Sequence, residues 1–406
     1  MQRAYRYRVY PTAVQAALLE QAFGCTRFVW NWALAEHHAH YASTGKSLQW
    51  SELSQRLTVL KQQPERVWLN DVSAWSLQQP LRNLKAAYEA FFAKRAKYPT
   101  FKSKRKARPS ARWSNQTARV TERGIVLSKV GEVRAVWHRP IPEGSVINSV
   151  NVSRDAAGRY HAAVQVGAPD VPALSPNGVA VGVDVGLTSL LTLSTGEKVA
   201  NPKHGARDRK ALARAQQTLA RKEKGSKNRE KARRRVAKIH ARIADRRADH
   251  LHKLSTRLVR ENQTVVIEDL AVRNMVKNHA LARAISDAAW SEFRRQLEYK
   301  AQWYGRTVIA VDRFYPSSKT CSVCGHLLTS LPLGVRAWTC PACQTSHDRD
   351  VNAARNLLAV GSTVTASGGC VRPDVAKATN GQRPMNEEAA LSAADHVPCA
   401  LLASGA

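Results

Sequence analysis

The stretch GVAVGVDVGLTSLLTLSTG, residues 178–196, decides the fold. Val179–Val185 is an apolar run of strand length that delivers one carboxylate, Asp184, next to Gly186. Leu187–Leu193 is a second apolar run that pairs back as a hairpin and ends at Thr195-Gly196. An Asp beside glycine after a strand is ordinarily a turn residue. Its company gives it weight. A second short strand, Thr264–Ile267, ends in Glu268, and His347-Asp348-Arg349-Asp350 opens a helical pattern.

The whole chain has 406 residues, enough for several domains and a sizeable core. Its formal net charge is +32, far beyond what solubility requires, and implies a polyanionic partner. Aromatic residues stand among the cations, as in Tyr5-Arg6-Tyr7-Arg8. That interleaving suits phosphate neutralisation with base stacking, and an amphipathic strand gives the same pattern. No apolar run reaches the length of a membrane span, and the basic N-terminus lacks a signal-peptide core. Four of the seven Cys form two CxxC pairs, which is metal usage in a reducing compartment.

Ala4–Tyr10 alternates and reads as a strand. From Thr12, a candidate cap, the period becomes helical, with Phe28–Leu34, Ser51–Leu60 and Ser73–Phe92 as amphipathic segments. Lys94–Arg112 is a basic connector with a phosphate-contacting composition. Ala118–Val120, Ile125–Leu127, Glu132–Trp137, Ser149–Ser153 and Tyr160–Val166 are strand signals for a small β-barrel that Ala4–Tyr10 completes. The helices are then an insertion after its first strand. Val171–Asn177 is a linker. Residues 203–260 are helical, broken near Gly225-Ser226, and carry 21 Lys or Arg against five Asp or Glu. So one-sided a charge favours a nucleic-acid cradle over a solvated hairpin. Thr307–Val311 is a further strand. The tail from about Thr365 lacks periodicity and is expected to be disordered.

Cys321-x2-Cys324 and Cys340-x2-Cys343 are separated by fifteen residues. Four thiolates at this spacing form a tetrahedral zinc site on two tight turns. The four leave no open position, so the zinc is structural. His326 and His347 stand nearby as bystanders. Asp184, Glu268 and Asp350, if brought together, would repel one another unless they bound cations, and hard oxygen ligands select Mg²⁺ or Mn²⁺. Such ions activate water against a phosphodiester. Asp269 and Asp348 are rivals for these roles, with turn or cap positions as the plainer reading.

The order of these features closely resembles the TnpB family of transposon-encoded RNA-guided DNA nucleases, relatives of the type V CRISPR effectors. The matching residues are Gly182-Val183-Asp184-Val185-Gly186, Val266-Ile267-Glu268-Asp269-Leu270 and Ser317-Ser318-x-x-Cys321-x-x-Cys324-Gly325. Trp338-Thr339-Cys340-Pro341-x-Cys343 and His347-Asp348-Arg349-Asp350-x-Asn352-Ala353-Ala354 follow. Tyr10-Pro11, Arg27-Phe28-Val29-Trp30-Asn31, Leu77-x-x-x-Leu81-x-Asn83-Leu84 and Gly368-Gly369-x-Val371-Arg372-Pro373 extend the match over nearly the whole chain.

The resemblance implies a multidomain α+β protein. A split β-barrel wedge domain (1–11 and 96–170) carries an inserted helical recognition domain (12–95). A RuvC nuclease domain of RNase H-like fold (178–312 and 348–364) is interrupted by a zinc-ribbon, target-nucleic-acid-binding insert (313–347). A tail (365–406) follows. Asp184, Glu268 and Asp350 fall at the family's catalytic, magnesium-binding positions, and Cys321, Cys324, Cys340 and Cys343 at its zinc ligands. By looser analogy, Trp75, Gln78, Asn115 and Thr117 are candidates to face DNA. The expected partners are a guide RNA from the transposon end and target double-stranded DNA, with no membrane, in a prokaryotic cytoplasm at the nucleoid. Relatives that bind under RNA guidance without cutting, as repressors, lack parts of the acidic trio. This chain keeps all three.

Overall fold

A computed structural model describes residues 2–367; the tail motif Gly368–Pro373 and most of the expected disordered tail lie outside it. The described residues divide at Pro169/Asp170 into two compact units.

The first unit begins with β1 (Gln2–Tyr10), whose alternate residues Arg3, Tyr5, Tyr7 and Val9 are buried. The Tyr-Arg alternation is therefore an amphipathic strand with its tyrosines in the core. Helix α1 (Ala13–Thr44) follows. Thr12 and Gln15 form a reciprocal capping box that satisfies two orphan amides of its first turn. Helix α2 (Trp50–Leu60), a 3-10 turn (Pro64–Asp71) and α3 (Ala74–Phe92) complete the helical insertion. The basic connector is laid against α1. Trp30 donates to the Thr100 carbonyl at 3.0 Å and Asn31 to that of Lys102 at 2.9 Å. Its last residues belong to a strand the sequence did not signal, β2 (Ser110–Ser114).

Strands β3 (Ala118–Val120), β4 (Gly124–Leu127), β5 (Gly131–Val136), β6 (Val146–Arg154) and β7 (Tyr160–Gly167) complete an antiparallel sheet. The strand order is β2-β6-β7-β1-β5-β4-β3. Edge strands β2 and β3 are joined by Asn115–Thr117 alone. Flat, those edges would stand about 29 Å apart, whereas so short a link spans at most about 14 Å. The sheet must therefore roll up, as expected of a barrel. Trp113 fills its interior, 1% exposed, and donates to the Ser128 carbonyl.

The second unit holds β8 (Ala180–Val185), β9 (Ser189–Leu193), β10 (Lys198–Ala200), α4 (His204–Arg207), α5 (Arg209–Ala220) and α6 (Lys227–Glu261). Next come β11 (Thr264–Glu268), α7 (Val272–Met275), α8 (Ala282–Ala288), α9 (Trp290–Tyr304) and β12 (Thr307–Val311). Strands β13 (Ala337–Thr339) and β14 (Ser346–Asp348) lead into α10 (Arg349–Ser367). Strand β10 and the short helices α7 and α8 had no clear sequence signal.

The sheet order is β10-β9-β8-β11-β12. Strands β8, β11 and β12 run parallel, and β9 and β10 are antiparallel additions. The basic hairpin breaks where expected: Gly225 takes a φ of +91° and the Ser226 side chain caps α6. Ala215, Ile239 and Ile243 close α5 on α6, while Leu251, Leu254 and Leu258 enter the core beneath the sheet. Asp208 clamps Arg242 and Arg246 across the hairpin at 2.7 and 2.8 Å. Among the described residues, no helix is long and apolar enough to cross a membrane.

Candidate functional site

Two of the three acids are placed by strand register. Val183 of β8 stands opposite Ile267 of the parallel neighbour β11. The next residues, Asp184 and Glu268, therefore leave the same end of the sheet side by side. The third is placed by close packing. Gly182 lies so near α10 that a Cβ there would meet the Ala354 carbonyl oxygen at 1.9 Å, and Ala353 and Ala354 are buried against the sheet. Asp350 sits in the first turn of that helix.

The charges of Glu268 and Asp350 both reach the Asp184 carboxyl. The Asp184 carboxyl is pushed up to about 8, by burial first and then by the negative charges of Asp350 and Glu268. Glu268 is also raised, by burial and then by Asp269. Among like charges, the group that ionises last carries the repulsion, so the mutual effect falls on Asp184. Asp350 pairs with Arg336 at 3.6 Å.

The rivals are occupied elsewhere. Asp348 caps α10, accepting from the amides of Asp350 and Val351, and pairs with Lys198 at 2.6 Å. Asp269 is held between Arg294 and Arg313. Burial would raise Asp269, but the two guanidiniums outweigh it and hold it low. The plainer reading, a cap, holds for Asp348; Asp269 is instead an ion-paired acid. Both carboxyls are held low by their partners, whereas Asp184 and Glu268 are raised.

The four cysteine sulfurs all lie within 4.8 Å of one another, the one such metal-holding group among the described residues. The carboxylates are not gathered this tightly. Each CxxC forms the same turn. The Cys321 amide donates to the His326 carbonyl and that of Cys340 to the Thr345 carbonyl. The residue after each second cysteine, Gly325 or Gln344, takes a positive φ. Four soft sulfurs at this separation fit tetrahedral Zn²⁺. His347 is more than a bystander. Its ring is buried against Trp338, and its Nε2 stands 3.0 Å from the Cys321 sulfur.

Sequence reasoning missed Asn352 and Asn356, which tie α10 to the segment Ser317–Ser322. The available signal was two amides at i and i+4 on a buried helix face.

The residues expected to face DNA lie in the first unit. Trp75 and Gln78 are in the first turns of α3. Arg82 stacks on the Trp75 ring, and Gln78 accepts from Ser54. Asn115 is exposed at the β2–β3 turn, whereas the Thr117 hydroxyl accepts from the Ser114 amide and so closes that turn. In the second unit a cleft of about 800 Å³ beside α5 and α6 is lined by Lys203, Arg209, Arg247 and Arg283 together with Asp287 and apolar residues.

Comparison with known proteins bears on the family. A family model described as "Probable transposase" matches residues 161–279, one described as "Cas12f1-like, TNB domain" matches residues 290–357, and a "Helix-turn-helix domain" matches residues 1–46. Within residues 13–44 the structure has one unbroken helix. A protein of Streptomyces pristinaespiralis named "Putative RNA-guided DNA endonuclease" is 50% identical over 96% of both chains. An Escherichia coli protein named "Putative RNA-guided DNA endonuclease InsQ" is 34% identical over 91% of this chain and 95% of its own. The structure described as "Cryo-EM structure of the Cas12f1-sgRNA-target DNA complex" covers 88% of this chain and 98% of its own, at 14% identity and a TM-score of 0.47. The family models and relatives define a transposase-type protein. The chain belongs to the TnpB family.

Proposed function

We propose that this chain is an RNA-guided DNA endonuclease. It cuts double-stranded DNA beside a short transposon-adjacent motif, with an RNA from the transposon end as guide. The observation that carries the reading is the placement of Asp184 and Glu268 at one end of the sheet with Asp350 on the helix packed over it, in a chain of net charge +32. Division of labour follows the RNA-guided pattern: the protein reads a short motif and duplex shape, and base pairing reads the rest.

In this reading residues 178–312 and 348–364 are a RuvC domain of RNase H-like fold, supported by the three parallel strands with two antiparallel additions. Residues 313–347 are its zinc-bearing insert, 1–11 and 96–170 the wedge barrel, and 12–95 the recognition helices. Trp75, Gln78 and Asn115 remain candidates for DNA contact, with Thr117 shaping the turn beside Asn115.

Asp184, Glu268 and Asp350 would hold Mg²⁺ or Mn²⁺. When bound, such ions supply Lewis-acid stabilisation of charge on phosphodiester oxygens. The chain's own part is to prepare that site. Burial keeps the Asp184 carboxyl protonated near neutrality, so cations compete with a proton there. Arg294 and Arg313 keep Asp269 out of the site. Cys321, Cys324, Cys340 and Cys343 would hold a structural Zn²⁺.

The test is a plasmid assay of the purified protein with its copurifying RNA and Mg²⁺. Cleavage at guide-matched sites, lost in Asp184→Ala with target binding retained, is the expected result. Binding without cutting by the native chain would instead make it a guided repressor.

A further inference from the structure

We infer that Asn352 and Asn356 are positioning residues through which the cysteine knuckle holds Asp350 in place; this rests on the nuclease reading above. The two residues lie one turn apart on α10 and are 1% and 4% exposed. The Asn352 amide nitrogen donates to the Thr320 carbonyl at 2.7 Å and that of Ser317 at 3.4 Å. The Asn356 nitrogen donates to the same two carbonyls at 2.6 and 2.7 Å. The Asn352 oxygen accepts from the Ser322 amide at 2.9 Å. Only one amide orientation satisfies this set, because carbonyls must face NH₂ and the amide must face the oxygen.

The partners are the point. Thr320 and Ser322 are the two neighbours of Cys321, so Asn352 grips the backbone on both sides of one sulfur ligand. Asp350 is two residues before Asn352, on the first turn of the same helix. Pro316–Thr320 is itself a tight turn, with the Thr320 amide donating to the Pro316 carbonyl at 3.1 Å. The Asn amides fill acceptors at the end of that turn, as a cap would. A second strut runs parallel to the clamp: His347, which touches the Cys321 sulfur, lies one residue before the Asp348 cap. Sulfur cluster, turn and carboxylate are thus joined by short, buried, hydrogen-bonded steps. The four sulfurs, by holding a cation, would fix Cys321 and its turn, and the turn holds the start of α10. Removing an outer partner of this kind typically costs roughly 10–100-fold in activity or metal affinity.

The experiment compares the RNA-loaded native protein with N352A/N356A and with N356A, a milder change that leaves the Ser322 contact. Three quantities are read: zinc content by mass spectrometry, amide hydrogen exchange across residues 349–358, and the cleavage rate at saturating target. Expected for the double variant are native zinc content and target affinity, faster exchange in 349–358, and cutting slowed by roughly ten-fold or more. N356A should be intermediate, and it carries the test if the double variant does not fold. Chelating zinc from the native protein should raise exchange in the same segment, and by much less in the variant, where the link is already cut. Native exchange in the variants, or raised exchange with undiminished cutting, overturns the inference. The nuclease reading fails separately, if the native chain does not cut or if Asp184→Ala still does; the exchange and chelation results still decide the link.

Discussion

Gly182 and Ala354 are in contact with no room for a side chain: a Cβ on Gly182 would stand 1.9 Å from the Ala354 carbonyl oxygen. This contact sets the height of α10 over β8, and hence the height of Asp350 over Asp184. Gly182→Ala must push the helix off the sheet, because the obstruction is backbone and cannot rotate away. We expect a loss of about 1–3 kcal/mol by thermal or denaturant unfolding. Cutting should fall further than stability, since the carboxylates separate. A variant with native melting temperature and native cleavage rate refutes the packing.

Asp350 and Asp348 are separated by one residue and have different work. Asp348→Asn keeps an oxygen for the α10 amides, because Asn is an equally good cap. It should retain cutting and lose only the exposed Lys198 pair, worth little. Asp350→Asn should abolish cutting while guide-RNA and target binding persist. The reverse pattern in a plasmid assay would transfer the role to Asp348.

The raised Asp184 carboxyl makes a pH prediction. Its folded value, about 8, lies above the ordinary 3.8, so the folded state holds the proton more tightly. The stability it contributes is fully present below about pH 4 and is lost as pH rises to about 8. Without divalent metal, Asp184→Asn should therefore melt higher than the native chain at about pH 8, and the gap should close towards about pH 4. Cation affinity should move the other way, rising up to ~10-fold per pH unit until about pH 8, as the proton leaves. Calorimetry and Mn²⁺ titration across pH measure the two; a pH-independent melting difference would show that Asp184 is ionised throughout.

Changing Cys321 and Cys324 to Ser should release one zinc per chain by mass spectrometry. The short segment around β13 and β14 has little core beyond Trp338, Cys321 and Cys340, with Leu328, Leu331 and Val335 at its edge. Metal binding, on the order of 10–16 kcal/mol in zinc-finger peptides, is then most of its folding free energy. Limited proteolysis should cut within residues 322–345 after chelation and leave the five-stranded sheet intact. Unchanged zinc content in the variant would remove the assignment.

The sequence by itself determined the elements that local chemistry writes. Capping and period placed α1 from Thr12, and alternation placed β1. The apolar runs before Asp184 and Glu268 gave the central strands, and CxxC spacing gave the sulfur cluster. Each signal lies within one segment of chain. Strand β2 escaped because its residues continue a basic run and are held by partners in β6. Strand β10, three residues long, exists only because β9 offers an edge. Whether Asp184 was a turn residue or part of a site was not a local matter. The register of β8 against β11 and a glycine that lets α10 descend bring other acids towards it, both contacts between distant segments. The same holds for the two asparagines, whose partners lie thirty or more residues away. A carboxylate's role depends on the charges and the water around it, and only the folded chain brings those together.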